Sequence, residues 1–139
     1  MTIDTKYIDQ FINVTSKAAI ASSLLVGKKN KHAADKAAVD AMRSELNKID
    51  MTGEIVIGEG SLDKAPMLFT GEILGKKSGP EFDIAVDPLE GTNFAANNLP
   101  GALSVIAVAE KGNLFKAPET YMHKIATGKV EKGLIDLDY

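Results

Sequence analysis

Apolar residues recur every three or four positions through the first third of the chain, as on one face of a helix. The spacing predicts a first helix from about residue 4 to about residue 26, with Asp4 as N-cap and Gly27 as C-terminal stop. A second helix is predicted from about residue 33 to about residue 48. The residues that define the two faces are Tyr7, Ile8, Phe11, Ile12, Thr15, Ala18, Ala19 and Ser22, then Ala34, Ala38, Met42 and Leu46.

Short β-rich runs bounded by glycine, proline and polar residues follow these helices. Strands are predicted at residues 54–57, 67–74, 82–86 and 102–109, the last with both faces buried. The turn residues 111–113 are expected to fold the chain back onto residues 114–115, and the segment 121–126 fits either a strand or a helix. Helices followed by strands predict one α+β domain with a largely antiparallel or mixed sheet.

Composition restricts the class of protein. The chain has 139 residues, 45% of them hydrophobic and 25% charged, with a net charge of -3, which argues against non-specific nucleic-acid binding. The absence of cysteine suits a reducing cytosol. The N-terminal region lacks the pattern of a secretory signal, and its longest apolar stretch, residues 18–26, is too short to span a membrane. A cytoplasmic protein without a membrane partner is expected.

Carboxylates cluster where two of the predicted strands end. Glu59 lies between Gly58 and Gly60, and Asp87 precedes Pro88, which is expected to end its strand. Glu90 follows three positions later, so a tight turn would bring it beside Asp87. Hard oxygen ligands without histidine or cysteine point to Mg²⁺ or Mn²⁺.

The glycines at 58, 60 and 91 permit positive φ and close approach of backbone to a ligand. The N–H groups of Gly91 and Thr92 would suit a phosphate if they open a helix. A metal site beside a phosphate site is the usual arrangement for metal-assisted phosphoryl hydrolysis.

Ordinary structural explanations compete with this one. A lone D-P-x-E-G sequence is more often a solvated loop, and Asp35 fits a first-turn charge that favours the helix dipole. Asp83 shares a strand face with Asp87 but lies roughly 13 Å away at about 3.3 Å per residue, so in a regular strand one ion cannot bind both. The two histidines, His32 and His123, receive no chemical role.

Four segments together resemble class II fructose-1,6-bisphosphatases, including the cyanobacterial type that also accepts sedoheptulose 1,7-bisphosphate. They are residues 34–43, 56–60, 65–68 and 83–92, and the match continues through 107–112, 117–118 and 121–122. The D-P-x-[DE]-G-T element alone is shared with the wider lithium-sensitive phosphatase superfamily. The resemblance implies the N-terminal portion of the sugar-phosphatase fold.

The resemblance also implies roles for individual residues. Asp35 and Glu59 match ligands of one divalent metal, and Asp87 and Glu90 match ligands around a second. The segment Glu90-Gly91-Thr92 matches the part that meets the substrate phosphate, with Thr92 placed to orient the attacking water.

Three further positions carry over from the family. Tyr121 matches a substrate-contacting tyrosine, while Asp63 and Lys31 match polar active-site positions. The implied activity is removal of the 1-phosphate of fructose 1,6-bisphosphate by metal-activated water.

The chain departs from the family in two ways. Ser61 and Lys64 stand where the family usually has acidic residues, and family members run to more than twice this length. The sequence is therefore expected to be a single N-terminal domain, 1–139, without the C-terminal domain that completes the substrate site. Two alternatives stay open: a non-catalytic module that pairs with itself or with a complete partner, and an inositol- or nucleotide-phosphate phosphatase. A homo-oligomer that covers the strand at 103–109 is expected, because an apolar edge strand attracts another chain.

Overall fold

Two long helices begin the fold. The computed structural model describes residues 3–59, 68–116, 123–131 and 133–136, with α1 at Thr5–Ser23 and α2 at Lys31–Leu46. The side chain of Asp4 caps α1 by accepting a hydrogen bond from the N–H of Lys6 at 3.0 Å. Both predicted helices are therefore confirmed, although α1 ends three residues earlier than expected.

The loop between the helices explains why α1 ends earlier and α2 begins earlier than predicted. Residues 24–29 form turns, and Gly27 adopts a φ of 76°, so the stop signal lies beyond the helix rather than at its last residue. Asn30 caps α2 by accepting from the N–H of Ala33 at 3.0 Å, so the helix starts two positions earlier than predicted. The N–H groups of Gly27 and Lys29 donate to the carbonyls of Ala95 and Ala96, each at 2.9 Å. The loop is thereby fixed to a distant part of the chain.

Four strands form one mixed sheet in the described part of the chain. They are β1 at Thr52–Ile57, β2 at Ile73–Leu74, β3 at Glu81–Glu90 and β4 at Leu103–Glu110, in the order β2-β1-β3-β4. The pair β1–β3 is parallel, and the other two pairs are antiparallel. The predicted α+β class with a mixed sheet is confirmed.

The strand predicted at 67–74 is mostly wrong. Only β2 forms there, because residues 69–72 make a turn in which Gly71 has a φ of 94° and Glu72 donates its N–H to the carbonyl of Phe69. Residue 67 lies outside the described residues. The turn places Leu68 against the end of β1, where it is fully buried.

Strand β3 runs through Pro88, whereas the sequence predicted that it ends there. The register with β4 shifts between Asp87 and Glu90, so Pro88 lies in a break of the ladder where no N–H is required. Its side chain is fully buried, which favours continuing the strand into the core. The short helix α3, Thr92–Ala96, then follows directly.

The core lies between the two helices and one face of the sheet. Tyr7 and Phe11 of α1 meet Phe82 of β3 edge-on, with ring centroids 5.3 and 6.0 Å from that of Phe82. Such pairs contribute about 0.5–1.5 kcal/mol each beyond the area that they bury. This packing fixes β3 beneath α1 and α2. No described helix is long and apolar enough to cross a membrane.

Strand β4 is not buried on both faces, contrary to the prediction. It lies at the edge of the described sheet, and Leu103 and Val105 are 60% and 44% exposed. Residues 114–115, which were expected to fold back onto it, do not form a strand either. The N–H groups of Gly112 and Leu114 donate instead to Oδ2 of Asp83, at 2.7 and 3.2 Å. The buried Asp83 therefore anchors the turn after β4.

Candidate functional site

The parallel pairing of β1 and β3 brings their carboxyl ends to the same edge of the sheet. Asp87 and Glu90 lie at the end of β3, Glu59 follows β1 by two residues, and α2 presents Asp35 to the same region. The charge of Asp35 acts on Asp87, although 52 positions separate the two residues in the chain. Topology thus brings Asp35, Asp87 and Glu90 into one region, with Glu59 following the neighbouring strand β1.

Asp87 and Glu90 form the centre of this carboxylate cluster. Their carboxyl groups lie within hydrogen-bonding reach of each other, and the N–H of Leu89 donates to Oδ1 of Asp87 at 3.1 Å. Burial, the hydrogen bond to Glu90 and the charges of Glu90 and Asp35 raise the pKa of Asp87 to about 6, against the opposing N–H of Leu89. At neutral pH this carboxyl therefore takes up a proton far more readily than an ordinary aspartate.

Asp35 carries a buried oxygen that lacks a hydrogen-bond partner among the described residues. The atom is Oδ1, and burial raises the pKa of this carboxyl while the nearby His32 opposes the rise. A buried acceptor without a donor costs about 1–3 kcal/mol. Because α2 begins at Lys31, Asp35 lies beyond the first turn, so the alternative interpretation as a first-turn charge is wrong.

His32 belongs to this environment, although the sequence gave it no role. It precedes Asp35 by three positions on α2, and its charge acts on that carboxyl. Side chains three apart are neighbours on a helix. The three-residue spacing was therefore the sequence signal that could have revealed the effect of His32 on Asp35.

Gly58 is required at the end of β1 by close packing rather than by positive φ. A Cβ at this position would lie 2.2 Å from the carbonyl oxygen of Leu68, which also accepts the N–H of Glu59 at 2.8 Å. The backbone of Glu59 is thus fixed beside β1, and its Oε2 is buried. Gly60 lies outside the described residues.

Gly91 does adopt the left-handed conformation expected of it, with a φ of 79° and a ψ of 43°. It is the N-cap of α3, so Thr92 opens that helix, as the phosphate hypothesis required. A Cβ at Gly91 would lie 3.1 Å from a ring carbon of Phe94. The tight turn at Gly91 therefore connects Glu90, the last residue of β3, to Thr92, the first residue of α3.

Of the three remaining predicted site residues, the structure describes only Lys31. Lys31 is exposed and opens α2, one turn before Asp35. Asp63 and Tyr121 lie outside the described residues. Their roles stay predictions.

The carboxylates fit a divalent cation by chemistry but are not arranged as a finished metal site. Their oxygens are hard ligands, and Oδ1 of Asp35 is a buried acceptor without a donor. However, no group of three or more histidine, cysteine, aspartate or glutamate side chains within the described segments is placed to hold a metal ion. The nearby carboxyl of Glu90 raises the pKa of Asp87, so a proton competes with a cation for this pair.

Comparison with known proteins assigns the family. The family described as bacterial fructose-1,6-bisphosphatase, glpX-encoded, matches residues 5–139. The chain belongs to this family. The likeness to class II fructose-1,6-bisphosphatases noted in the sequence is thereby confirmed.

Curated members of the family are similar over nearly the whole chain. A D-fructose 1,6-bisphosphatase class 2/sedoheptulose 1,7-bisphosphatase of Prochlorococcus marinus strain MIT 9303 is 50% identical over 97% of the chain. The protein of the same name from strain AS9601 is 51% identical over 94% of the chain. The match covers 40% and 39% of those proteins, so the chain spans about two-fifths of their length.

A solved structure, an extragenic suppressor from Pyrococcus furiosus, is also similar. It is 17% identical with a TM-score of 0.49, and the match covers 77% of this chain and 41% of that one.

Proposed function

We propose that the chain carries the metal- and phosphate-binding part of a fructose-1,6-bisphosphatase site, which removes the 1-phosphate of fructose 1,6-bisphosphate. Family membership over residues 5–139 and the name of the Prochlorococcus relatives support the reaction class. The observation that carries the proposal is the approach of Asp35 to the Asp87–Glu90 pair at one edge of the sheet.

Asp35, Glu59, Asp87 and Glu90 would hold Mg²⁺ or Mn²⁺ in this proposal. A bound divalent ion lowers the pKa of water and polarises the phosphoryl oxygen, so hydrolysis needs no covalent phosphoenzyme. The protein supplies the negative charge, since four carboxylates at one sheet edge repel one another without a positive counterpart.

The raised pKa of Asp87, about 6, belongs to the carboxylate cluster without a cation. A bound Mg²⁺ or Mn²⁺ would keep Asp87 and Glu90 charged as its ligands, and the cation itself would acidify the water that attacks the phosphate. Thr92 follows the Gly91 turn and would orient that water, while Gly91 allows the backbone to approach the phosphate closely.

Lys31, Asp63 and Tyr121 complete the proposed site on the basis of the family likeness. Lys31 would offer positive charge to an anionic substrate from the start of α2. Asp63 and Tyr121 would contact the reacting groups and the sugar.

The test is release of inorganic phosphate from fructose 1,6-bisphosphate in the presence of Mn²⁺ or Mg²⁺. We expect slow turnover, because remote substrate contacts normally position the reacting phosphate and the relatives are about 2.5 times longer. Asp87→Asn should abolish the release. Asp40→Asn should not, because Asp40 is an exposed carboxylate on α2 that pairs with Lys36. Phosphate release that is absent, or that is equal in Asp87→Asn, would contradict the proposal.

A non-catalytic module is the second candidate. It is favoured by the arrangement of the described segments, in which no three histidine, cysteine, aspartate or glutamate side chains are placed to hold a metal ion. Such a module would bind Mn²⁺ or Mg²⁺ weakly and release no phosphate. Measuring metal binding and phosphate release on the same preparation separates the two functions.

A further inference from the structure

A bidentate ion pair joins α2 to the turn before β2. Nε of Arg43 donates to Oε1 of Glu72 at 2.8 Å, and Nη2 of the same guanidinium donates to Oε2 at 3.1 Å. The two side chains are 24% and 14% exposed, whereas Lys36 and Asp40, which pair on the surface of α2, are both more than half exposed. Because the guanidinium and the carboxylate meet along two bonds, this pair fixes an orientation as well as a distance.

Arg43 is the only arginine in the sequence. Lysine and arginine together number 16, and every one of them except Arg43 is a lysine. A lysine at this position could pair with Glu72 by charge, but its ammonium lacks the planar fork that makes two parallel bonds. The residue type at position 43 therefore indicates a requirement for geometry in addition to positive charge.

The turn that carries Glu72 is bound to β1 by backbone hydrogen bonds. The carbonyl of Glu72 accepts the N–H of Ile55 at 2.9 Å, and the N–H of Gly71 donates to the carbonyl of Ile55 at 2.7 Å. Just before the turn, the carbonyl of Leu68 accepts the N–H of Glu59 at 2.8 Å. A displacement of Glu72 would therefore be passed on to the backbone of Glu59.

Arg43 and Asp35 lie on the same side of α2. They are two four-residue steps apart with Val39 between them, which corresponds to about 12 Å along the helix axis. Val39 is buried, so this side of the helix faces the protein interior. The helix packs against α1, α3 and β3. The ion pair of Arg43 with Glu72 adds a link to the turn that holds Glu59.

We propose that Arg43 is a positioning residue of the cation site. Its ion pair with Glu72 sets the place of the Glu59 carboxylate relative to that of Asp35, so that both carboxylates can reach one Mg²⁺ or Mn²⁺ ion. This role rests on the proposed function, because it requires the two carboxylates to share a cation. The link from Arg43 to Glu59 itself stands on the hydrogen bonds described above.

A purely stabilising role would be a weak reason for such a pair. Partial burial removes hydration from both charges, and replacing a buried ion pair by apolar side chains is often neutral or stabilising. The pair does provide a defined geometry between two elements that each carry a carboxylate. Mutation of residues that orient metal ligands typically lowers metal affinity by about 10- to 100-fold. We therefore expect replacement of Arg43 to lower cation affinity in a chain that still folds.

Titration of the intact chain with Mn²⁺, followed by the electron paramagnetic resonance signal of free Mn²⁺, tests the proposal. Arg43→Lys keeps the positive charge and removes the fork, and Glu72→Gln removes the opposite charge of the pair. Asp40→Asn is the matched control, because it removes one negative charge from an exposed ion pair on α2. We expect both test variants to bind Mn²⁺ at least about tenfold more weakly, and the control to bind it like the wild-type chain. The double variant should bind no more weakly than the weaker single variant, because both residues act through one contact.

Hydrogen exchange measures the positional link without any cation. In chelator-treated buffer we expect the N–H of Glu59 to exchange faster in Arg43→Lys and in Glu72→Gln, because the carbonyl that accepts it is no longer held in place. The N–H of Lys29, which donates to the carbonyl of Ala96, is the reference amide and should keep its rate. Loss of a merely structural ion pair would accelerate both amides together and leave Mn²⁺ affinity unchanged.

Three results would overturn the positioning role. They are Mn²⁺ affinity that Arg43→Lys and Glu72→Gln leave unchanged, an equal loss of affinity in Asp40→Asn, and a loss of affinity without faster exchange at Glu59. A wild-type chain that binds no Mn²⁺ would refute the proposed function, and this role with it. A wild-type chain that binds Mn²⁺ and releases phosphate, but no better than Arg43→Lys, would refute the positioning role alone.

Discussion

The carboxyl groups of Asp87 and Glu90 lie within hydrogen-bonding reach of each other at the end of β3. Burial and a hydrogen bond to Glu90, for which one of the two must carry a proton, favour the protonated form of Asp87. The pKa of Asp87 therefore lies at about 6 in the folded chain, above its ordinary value of 3.8. This relationship links proton uptake to stability and, in the proposed function, to cation binding.

Asp87→Asn should stabilise the chain at pH 8 in chelator-treated buffer. The raised pKa contributes stability below about pH 4, and that contribution is lost as the pH rises through about 6. Removing the charge should thus raise the free energy of unfolding by about 1 kcal/mol at pH 8, a value reduced for solvent screening. Urea unfolding at pH 8 and pH 4 measures it. A gain that is larger at pH 4 would contradict the assigned direction.

Addition of Mn²⁺ should make the wild-type chain more stable than Asp87→Asn, which is the reverse of their order without the cation. A cation bound only by the folded state at one hundred times its dissociation constant stabilises it by about 2.7 kcal/mol. We expect Mn²⁺ to raise the melting temperature of the wild-type chain and of Asp40→Asn, but not that of Asp87→Asn. An equal rise in all three proteins would show that the cation binds elsewhere.

Gly58→Ala should destabilise the chain by about 1–3 kcal/mol. Its Cβ would lie 2.2 Å from the carbonyl oxygen of Leu68, so the backbone that holds Glu59 must move. Gly128→Ala is the control, because its Cβ would meet nothing within 4 Å. Thermal unfolding and Mn²⁺ titration of both variants measure the two effects. Equal stability of the two variants would argue against this packing.

Asp83→Ala should loosen the turn after β4 without affecting cation binding. It leaves the N–H groups of Gly112 and Leu114 without their acceptor, at a cost of about 1–3 kcal/mol. Hydrogen exchange should accelerate at these two amides, while the Mn²⁺ affinity stays at the wild-type level. A loss of Mn²⁺ affinity would assign Asp83 to the site instead.

Local sequence patterns predicted most of the framework. The apolar spacing of α1 and α2 and the β-rich runs of β1 and β3 depend on neighbouring residues, so a sequence window captures them. The path of β3 through Pro88 was missed, because only the register with β4 reveals that no N–H is needed there. The exposure of β4 was missed for a related reason. Its apolar composition does not tell which neighbour covers it.

The candidate site was predicted in part. Asp87 and Glu90 are close in sequence, so a turn suffices to bring them together. The approach of Asp35 came from the family likeness and not from spacing, because packing of α2 on the sheet decides it. The influence of His32 on Asp35 was missed, although the two residues are three positions apart on one helix.

Two backbone hydrogen bonds join the loop before α2 to the end of α3, from Gly27 and from Lys29. The start of α2 and the region after Gly91 are therefore held in a fixed relative position. A lengthened loop before α2 would therefore displace α3 as well. Asp35 on α2 and Thr92 on α3 would shift together, although neither side chain had changed. Tolerance to insertion at residues 27–29 is thus set by the two hydrogen bonds to α3, not by the exposure of the loop.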